Sequence, residues 1–207
     1  LVSCGAAEIV LFVLATLAGL PIPLTAVQLL WLNLVTNGIQ DVALAFEPGE
    51  GGELDQAPRP PGEPIFDRVM LERTLLSAAV MAGLGFAAWW TALAAGWSHG
   101  RAQGALLLMM VLFENAQAGN SRSESRSVFG LSPLRNPLLL YGTILALLLH
   151  VAAMHTPGLS GVLGVRPAGL LEWAAAVGGA VLLVAAMEVE KSVRRSRRDG
   201  TRRRLGT

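Results

Sequence analysis

Val27-Gln28-Leu29-Leu30-Trp31-Leu32-Asn33-Leu34-Val35-Thr36-Asn37-Gly38-Ile39-Gln40-Asp41 lies inside an apolar run, residues 26–46, that carries five polar side chains in its inner part. About 20 helical residues cross the hydrocarbon of a bilayer, so the run is long enough to span one. At about 100° per residue, Asn33, Thr36, Asn37 and Gln40 fall within an arc of roughly 100°, with Asp41 at its margin. Polar groups are expensive against lipid, so this arc must face other protein or a water-filled cavity. Gly38 sits in the middle of the cluster. A helix that unwinds there would offer backbone carbonyls, which is tolerated only where the backbone does not face lipid. Carboxylate, amide, hydroxyl and carbonyl oxygens are the donors that hard cations prefer. The alternative is that the amides and hydroxyl act as hydrogen-bonding glue between helices. Both readings require further helices around this one.

The rest of the chain supplies them. Five more apolar segments lie at residues 1–20, 74–97, 102–119, 138–154 and 170–189. The expected fold is therefore all-α: a polytopic membrane bundle of about six transmembrane helices. Composition agrees. Of the 207 residues, 53% are hydrophobic and only 15% charged, against roughly 25% in an average soluble domain; the mean hydropathy is +0.52. One soluble core of this size cannot hide so much apolar surface. Disorder, a disulfide-stapled secreted domain and an ordinary cytosolic enzyme are excluded. Cys4 is the single cysteine, so there is no internal disulfide, and no thiolate–imidazole cluster suggests a soft-metal site.

Two other spans carry polar groups at membrane depth: Glu8 in the first, and Glu114, Asn115 and Gln117 in the fourth. With the second-span cluster they mark a cation path. His150 lacks an acidic neighbour in sequence and reads as a core histidine. Trp89, Trp90, Trp97 and Trp173 read as interface anchors, and Glu124, beside Arg122 and Arg126, as a solvated loop pair. Prolines at 48, 58, 60, 61 and 64 exclude helix from much of residues 47–64 and favour a stiff, extended loop.

Charge orients the bundle. Fourteen of the 16 Lys and Arg fall in the loop after the second span, the loop after the fourth and the tail, whereas Arg101 and Arg166 lie opposite. The positive-inside rule then places both termini in the cytoplasm. Residues 1–190 form the membrane domain and residues 191–207 a basic cytoplasmic tail suited to a solvated anchor or to anionic headgroups. No nucleic-acid partner is expected. The chain opens at Leu1 inside an apolar run, which suggests a fragment or a domain taken from a larger polypeptide.

The string Val27 to Gly38, followed by Ala43-Leu44-Ala45-Phe46-Glu47-Pro48, resembles the sixth transmembrane helix of P-type cation-transporting ATPases, in the subfamily of calcium and sodium/potassium pumps. Arg59-Pro60-Pro61 and Glu63-Pro64-Ile65 are similar to the signature after that helix. Ser3-Cys4-Gly5-Ala6-Ala7-Glu8-Ile9-Val10 resembles the cation-binding turn of the fifth helix, and Glu114 with Asn120-Ser121-Arg122-Ser123-Glu124 the end of the eighth. The resemblance covers helices five to ten, with the last two matching only in hydropathy. It implies that Glu8, Asn33, Thr36 and Glu114 are cation ligands. It places Asn37 where those pumps usually have a bridging aspartate, and Gly5 where they have an amide or hydroxyl ligand. Asn37 stays in the candidate set; Gln40, Asp41 and Gln117 are additional candidates. The ion stays open among calcium, sodium, potassium, magnesium, manganese and the proton.

The family's phosphorylation loop, Asp-Lys-Thr-Gly-Thr, is not in the chain, nor are its nucleotide-binding and dephosphorylation motifs. The resemblance therefore implies the ion-carrying membrane part of a pump. It implies no cofactor held by this chain alone, with ATP and Mg bound in the complete pump. The implied partners are the catalytic portion, the lipid bilayer and an inorganic cation, in the plasma (inner) membrane. Proton countertransport is a natural companion, and the proline-rich loop would relay motion from the catalytic domains. A stand-alone six-helix carrier or channel and a non-catalytic remnant or split-pump subunit are the alternatives.

Overall fold

The computed structural model describes residues 2–49, 68–123 and 127–205, with side chains described up to residue 196 in the last helix. Leu1, the proline-rich stretch with Arg59-Pro60-Pro61 and Glu63-Pro64-Ile65, Glu124, Arg126 and the side chains of Arg197, Arg198, Arg202, Arg203 and Arg204 lie outside the described residues.

The described residues are helical, without strand. Helix α1 (Val2–Leu17) is followed by α2 (Ala26–Trp31), a π-helical segment (Leu32–Asn37) and α3 (Gly38–Leu44), which together make one rod. Then come α4 (Arg68–Ala94), α5 (His99–Asn120), α6 (Pro137–His155), the short α7 (Pro157–Leu163) and α8 (Leu170–Leu205). Single 3-10 turns at Val128–Gly130 and Pro133–Arg135 lie between α5 and α6. Each of the six expected spans overlaps one long helical stretch, with α4 beginning earlier, at Arg68, and α8 continuing past residue 189 to Leu205. By length and composition, α4, α6 and the Leu170–Ser196 part of α8 are each apolar enough to cross a membrane. Helix α5 also has the length, at 22 residues. Its inner half holds the Glu114-Asn115-Ala116-Gln117 cluster, which lowers its hydropathy and raises its value for a site.

Helix breaks follow local chemistry. After α1 the chain turns through Gly19 at φ 67°, a left-handed conformation that glycine adopts without a Cβ clash, and Pro21 and Pro23 prevent resumption. Helix α2 restarts on a capping box. Gln28 N donates to Thr25 Oγ1, and Gln28 Oε1 accepts from Thr25 N at 2.9 Å. Gln28 Nε2 also donates to the Leu163 carbonyl at 2.9 Å, tying the start of this rod to α7. Asn136 caps α6 by accepting from Leu139 N, and donates to the Ala43 carbonyl at 3.0 Å.

The packing is centred on α5, where residues 106–111 are all buried, a pattern expected of a helix enclosed on every side. Helices α1 and α8 make the most extensive contacts with α4 and α5 respectively, and α6 packs on α3. Leu11, Met81, Leu106, Phe113, Leu183 and Met187 belong to one continuous core. Gly179 lets α8 approach α5 closely: a Cβ there would lie 3.0 Å from Phe113, next to Glu114.

Two readings change. Trp89 is no interface anchor; it is fully buried and its ring faces His99 at 6.5 Å, whereas Trp90 is exposed. Lys191 does not begin a solvated tail. Helix α8 runs through it unbroken, and its ammonium is buried, donating to the Asn120 carbonyl at 3.2 Å with Glu188 at 3.6 Å. Both residues sit on inward faces of their helices, which composition alone does not display. His150 is a core histidine as read, fully buried beside Trp31 at 6.4 Å, with no hydrogen-bond partner for either ring nitrogen among the described residues.

Candidate functional site

Asn33, Thr36 and Asn37 of the second-span polar cluster sit on the π-helical turn, and Gln40 and Asp41 follow on α3. Gly38 does not unwind the helix: at φ −56°, ψ −41° it is regular, and a further helical segment follows. The helix widens over Leu32–Asn37 instead. Single π turns displace the side chains of an otherwise α-helical rod and recur at functional sites. Here local carbonyls meet side-chain donors. Asn33 Nδ2 donates to the Leu29 carbonyl at 3.0 Å, and Thr36 Oγ1 lies 2.6 Å from the Leu32 carbonyl.

Two carboxylates face this turn from different helices. Glu8 of α1 accepts from Asn33 Nδ2, at 3.1 Å on Oε2 and 3.4 Å on Oε1. Glu114 of α5 is fully buried. Its Oε1 accepts from Asn37 Nδ2 at 2.9 Å, and its Oε2 pairs with the Thr36 hydroxyl. Thr36 and Asn37 are also buried, whereas Asn33 is exposed. One turn of one rod thus supplies donors to carboxylates on two neighbouring helices. The bonds are those of interhelical glue, yet they assemble the oxygen-rich chemistry expected of a hard-cation site in one place.

The additional candidates flank this centre. Gln40 is buried and donates to the Asn115 side-chain oxygen, so Asn115 belongs to the same belt. Gln117 donates to Ser3 Oγ at 3.3 Å, linking α5 to the first turn of α1, and its Oε1 lies 3.5 Å from Asn120 Nδ2. Asp41 is half-buried one turn beyond Asn37. Ser3 is the member that has no role in the sequence reading: five residues before Glu8, it lies about 140° around the helix from it, so helical periodicity does not group the two. Among the described residues, no three His, Cys, Asp or Glu side chains come together as a metal cluster. Any cation held here takes amide, hydroxyl or carbonyl oxygens besides carboxylate.

Below the site, an ion-pair cluster closes the end of α3. Arg122 grips Glu47 in a fork, Nε to Oε2 at 3.0 Å and Nη2 to Oε1 at 3.1 Å, and donates to the Ser132 carbonyl at 3.0 Å. Arg135 lies 3.8 Å from Glu47 and donates to the Pro48 and Gly49 carbonyls at 2.8 and 2.6 Å. Burial acts to raise the Glu47 carboxyl. Hydrogen bonds from Arg122 and Asn136 and the charges of Arg122 and Arg135 outweigh it and hold the group below the ordinary carboxylate value. Arg122 therefore does not belong to a solvated loop: its side chain is 7% exposed.

The comparisons with known proteins bear on this geometry. A family described as "Cation transporting ATPase, C-terminus" matches residues 21–193. The mouse protein "Calcium-transporting ATPase type 2C member 2" is 32% identical over 161 residues, 77% of this chain and 17% of its own length. "Endoplasmic reticulum calcium ATPase srcA" of Aspergillus fumigatus is 29% identical, covering 94% of this chain and 23% of its own length. The human type 2C member 2 protein is 29% identical over 78% of this chain. The chain thus spans between about one-sixth and one-quarter of the length of these curated relatives.

Proposed function

Because this chain belongs to the family of cation-transporting ATPase C-terminal regions, we propose that it is the ion-carrying membrane part of an ATP-driven P-type cation pump. The observation that carries the reading is the buried Glu114, held by Thr36 and Asn37 of the π-helical turn, with Glu8 on the same turn through Asn33. Glu8, Asn33, Thr36, Asn37 and Glu114 are the proposed ligand set, with Gln40, Asp41 and Gln117 as additional members. An unpaired carboxylate at this depth costs several kcal/mol, so a cation among these groups relieves a penalty that the fold has built in. To admit one, Asn37 would turn its amide over, presenting Oδ1 where Nδ2 now donates, and Asn33 would do the same while giving up its bond to the Leu29 carbonyl.

Calcium is the ion to test first. It takes carboxylate, amide and carbonyl oxygens together, and the relatives named above are calcium ATPases by name. ATP and Mg would be bound by the catalytic portion of the pump. Phosphorylation there would shift the helices between two arrangements and so alternate access to the site. The basic end, with Arg73, Arg122, Arg135 and Lys191, would face the cytoplasm of a plasma (inner) membrane, as the charge distribution favours.

The test is Glu8→Gln in the intact pump that carries this region. Calcium-dependent phosphorylation should require at least tenfold more calcium than in the wild type. An unchanged calcium dependence removes Glu8 from the site.

A further inference from the structure

We propose that the cavity between α4, α5 and α8, at the end of the bundle opposite the basic cluster, is a specific phospholipid site. It takes one acyl chain, with the lipid phosphate on Arg101. The cavity has a volume of about 270 Å³. Its buried floor is α5, through Ala102, Leu106 and Met109, and its exposed rim is Thr91 on α4, Ala95 in the turn just after α4 and Ala175 on α8. Small side chains carve it out: alanines contribute from all three helices. Water is a poor occupant, since methyl-lined walls offer it few of the partners it needs. A slot in a membrane bundle that opens between two lipid-facing helices is filled most readily by hydrocarbon. From Ala102 to Met109 it runs about 10 Å along α5, which is the direction and depth of an acyl chain hanging from the interface.

The mouth supplies the headgroup chemistry. Trp97 and Glu172 line it, and Arg101 lies over the Trp97 ring, 3.8 Å from its centroid. The Arg101 guanidinium is fixed on one side by Glu172, with Nη2 at 2.7 Å and Nε at 2.8 Å from Oε1. The two side chains differ in exposure, 48% for Arg101 and 8% for Glu172. The buried carboxylate is thus taken up by the pair, while the outer edge of a pre-oriented guanidinium stays open. A planar fork held in place suits a phosphate. Because Glu172 cancels the charge of Arg101, a zwitterionic headgroup fits better than an anionic one, and phosphatidylethanolamine is the lipid to use.

The full chain, purified in mild detergent and stripped of lipid, is titrated with phosphatidylethanolamine, and bound lipid is counted by native mass spectrometry. Wild type should bind one molecule tightly above the weak background. Arg101→Gln combined with Glu172→Gln removes the charged pair without stranding either partner, and should weaken that first molecule at least fivefold. Ala95→Leu combined with Ala175→Leu narrows the exposed rim without touching the buried floor, and should weaken it equally with Arg101 intact. Phosphatidylglycerol should bind no better than phosphatidylethanolamine. Wild-type affinity in either double variant, or a clear preference for phosphatidylglycerol, overturns the proposal.

Discussion

Glu114 combines full burial with two donors from one helical turn, and its neighbourhood sets the chemistry of the site. A buried acceptor that loses a donor costs about 1–3 kcal/mol, so Thr36 and Asn37 matter to stability as well as to any ion. At the rim of the same region, Glu47 has a definite pH signature. Its carboxyl is held below the ordinary value of 4.5, so it is ionised more readily in the fold than in the unfolded chain. Its contribution to stability is therefore complete above pH 4.5 and is lost as the pH falls through the lowered value. Both partners of the Glu47–Arg122 pair are nearly buried. Arg122→Ala should lower stability by about 3 kcal/mol at neutral pH, with a smaller loss when thermal unfolding is measured in acid. Equal losses at both pH values would show that Arg122 acts by packing and not by charge. Glu8, Asn33, Thr36, Asn37 and Glu114 were legible as a group because ionisable and amide side chains stand out in apolar runs. The Arg122–Glu47 fork was not, because its partners are 75 residues apart and each reads locally as a loop charge.

The rod made of α2, the π turn and α3 is the element that carries most of the proposed site. An α-helical wheel put Asn33, Thr36, Asn37 and Gln40 on one arc. The structure divides them among Glu8, Glu114 and Asn115. The extra width of the π turn was invisible in the sequence, since apolar and polar periodicity is read against a regular α-helical wheel. Deleting Val35 should return the segment to α geometry and move the side chains of the turn off Glu8 and Glu114, while α3 beyond it keeps its phase. Calcium-dependent phosphorylation should then be lost while the helix content measured by circular dichroism is kept. Persistence of that activity would show that the widened turn is incidental. A second element-scale contact is the approach of α8 to α5 at Gly179. Gly179→Leu must push Phe113 aside, because even a Cβ would lie 3.0 Å from its ring. The expected loss is about 1–3 kcal/mol in a thermal unfolding experiment, and an unchanged midpoint would mean that α8 slides freely on α5.

At the scale of the molecule, the all-helical bundle was legible because bilayer thickness fixes span length and six apolar runs met it. Trp89 and Lys191 were misread for one reason: hydropathy reports how apolar a stretch is, and not which side of a helix faces inward. The fold brings two carboxylates, Glu8 of α1 and Glu114 of α5, to one π-helical turn of a third helix, and the proposed function stands on that convergence. Its most direct test is equilibrium calcium binding to the intact pump, comparing wild type with Glu114→Gln, which keeps the shape of the side chain and removes its charge. The predicted result is a loss of calcium affinity of at least tenfold, with the protein still folded. An affinity equal to that of the wild type would contradict a cation site at Glu114.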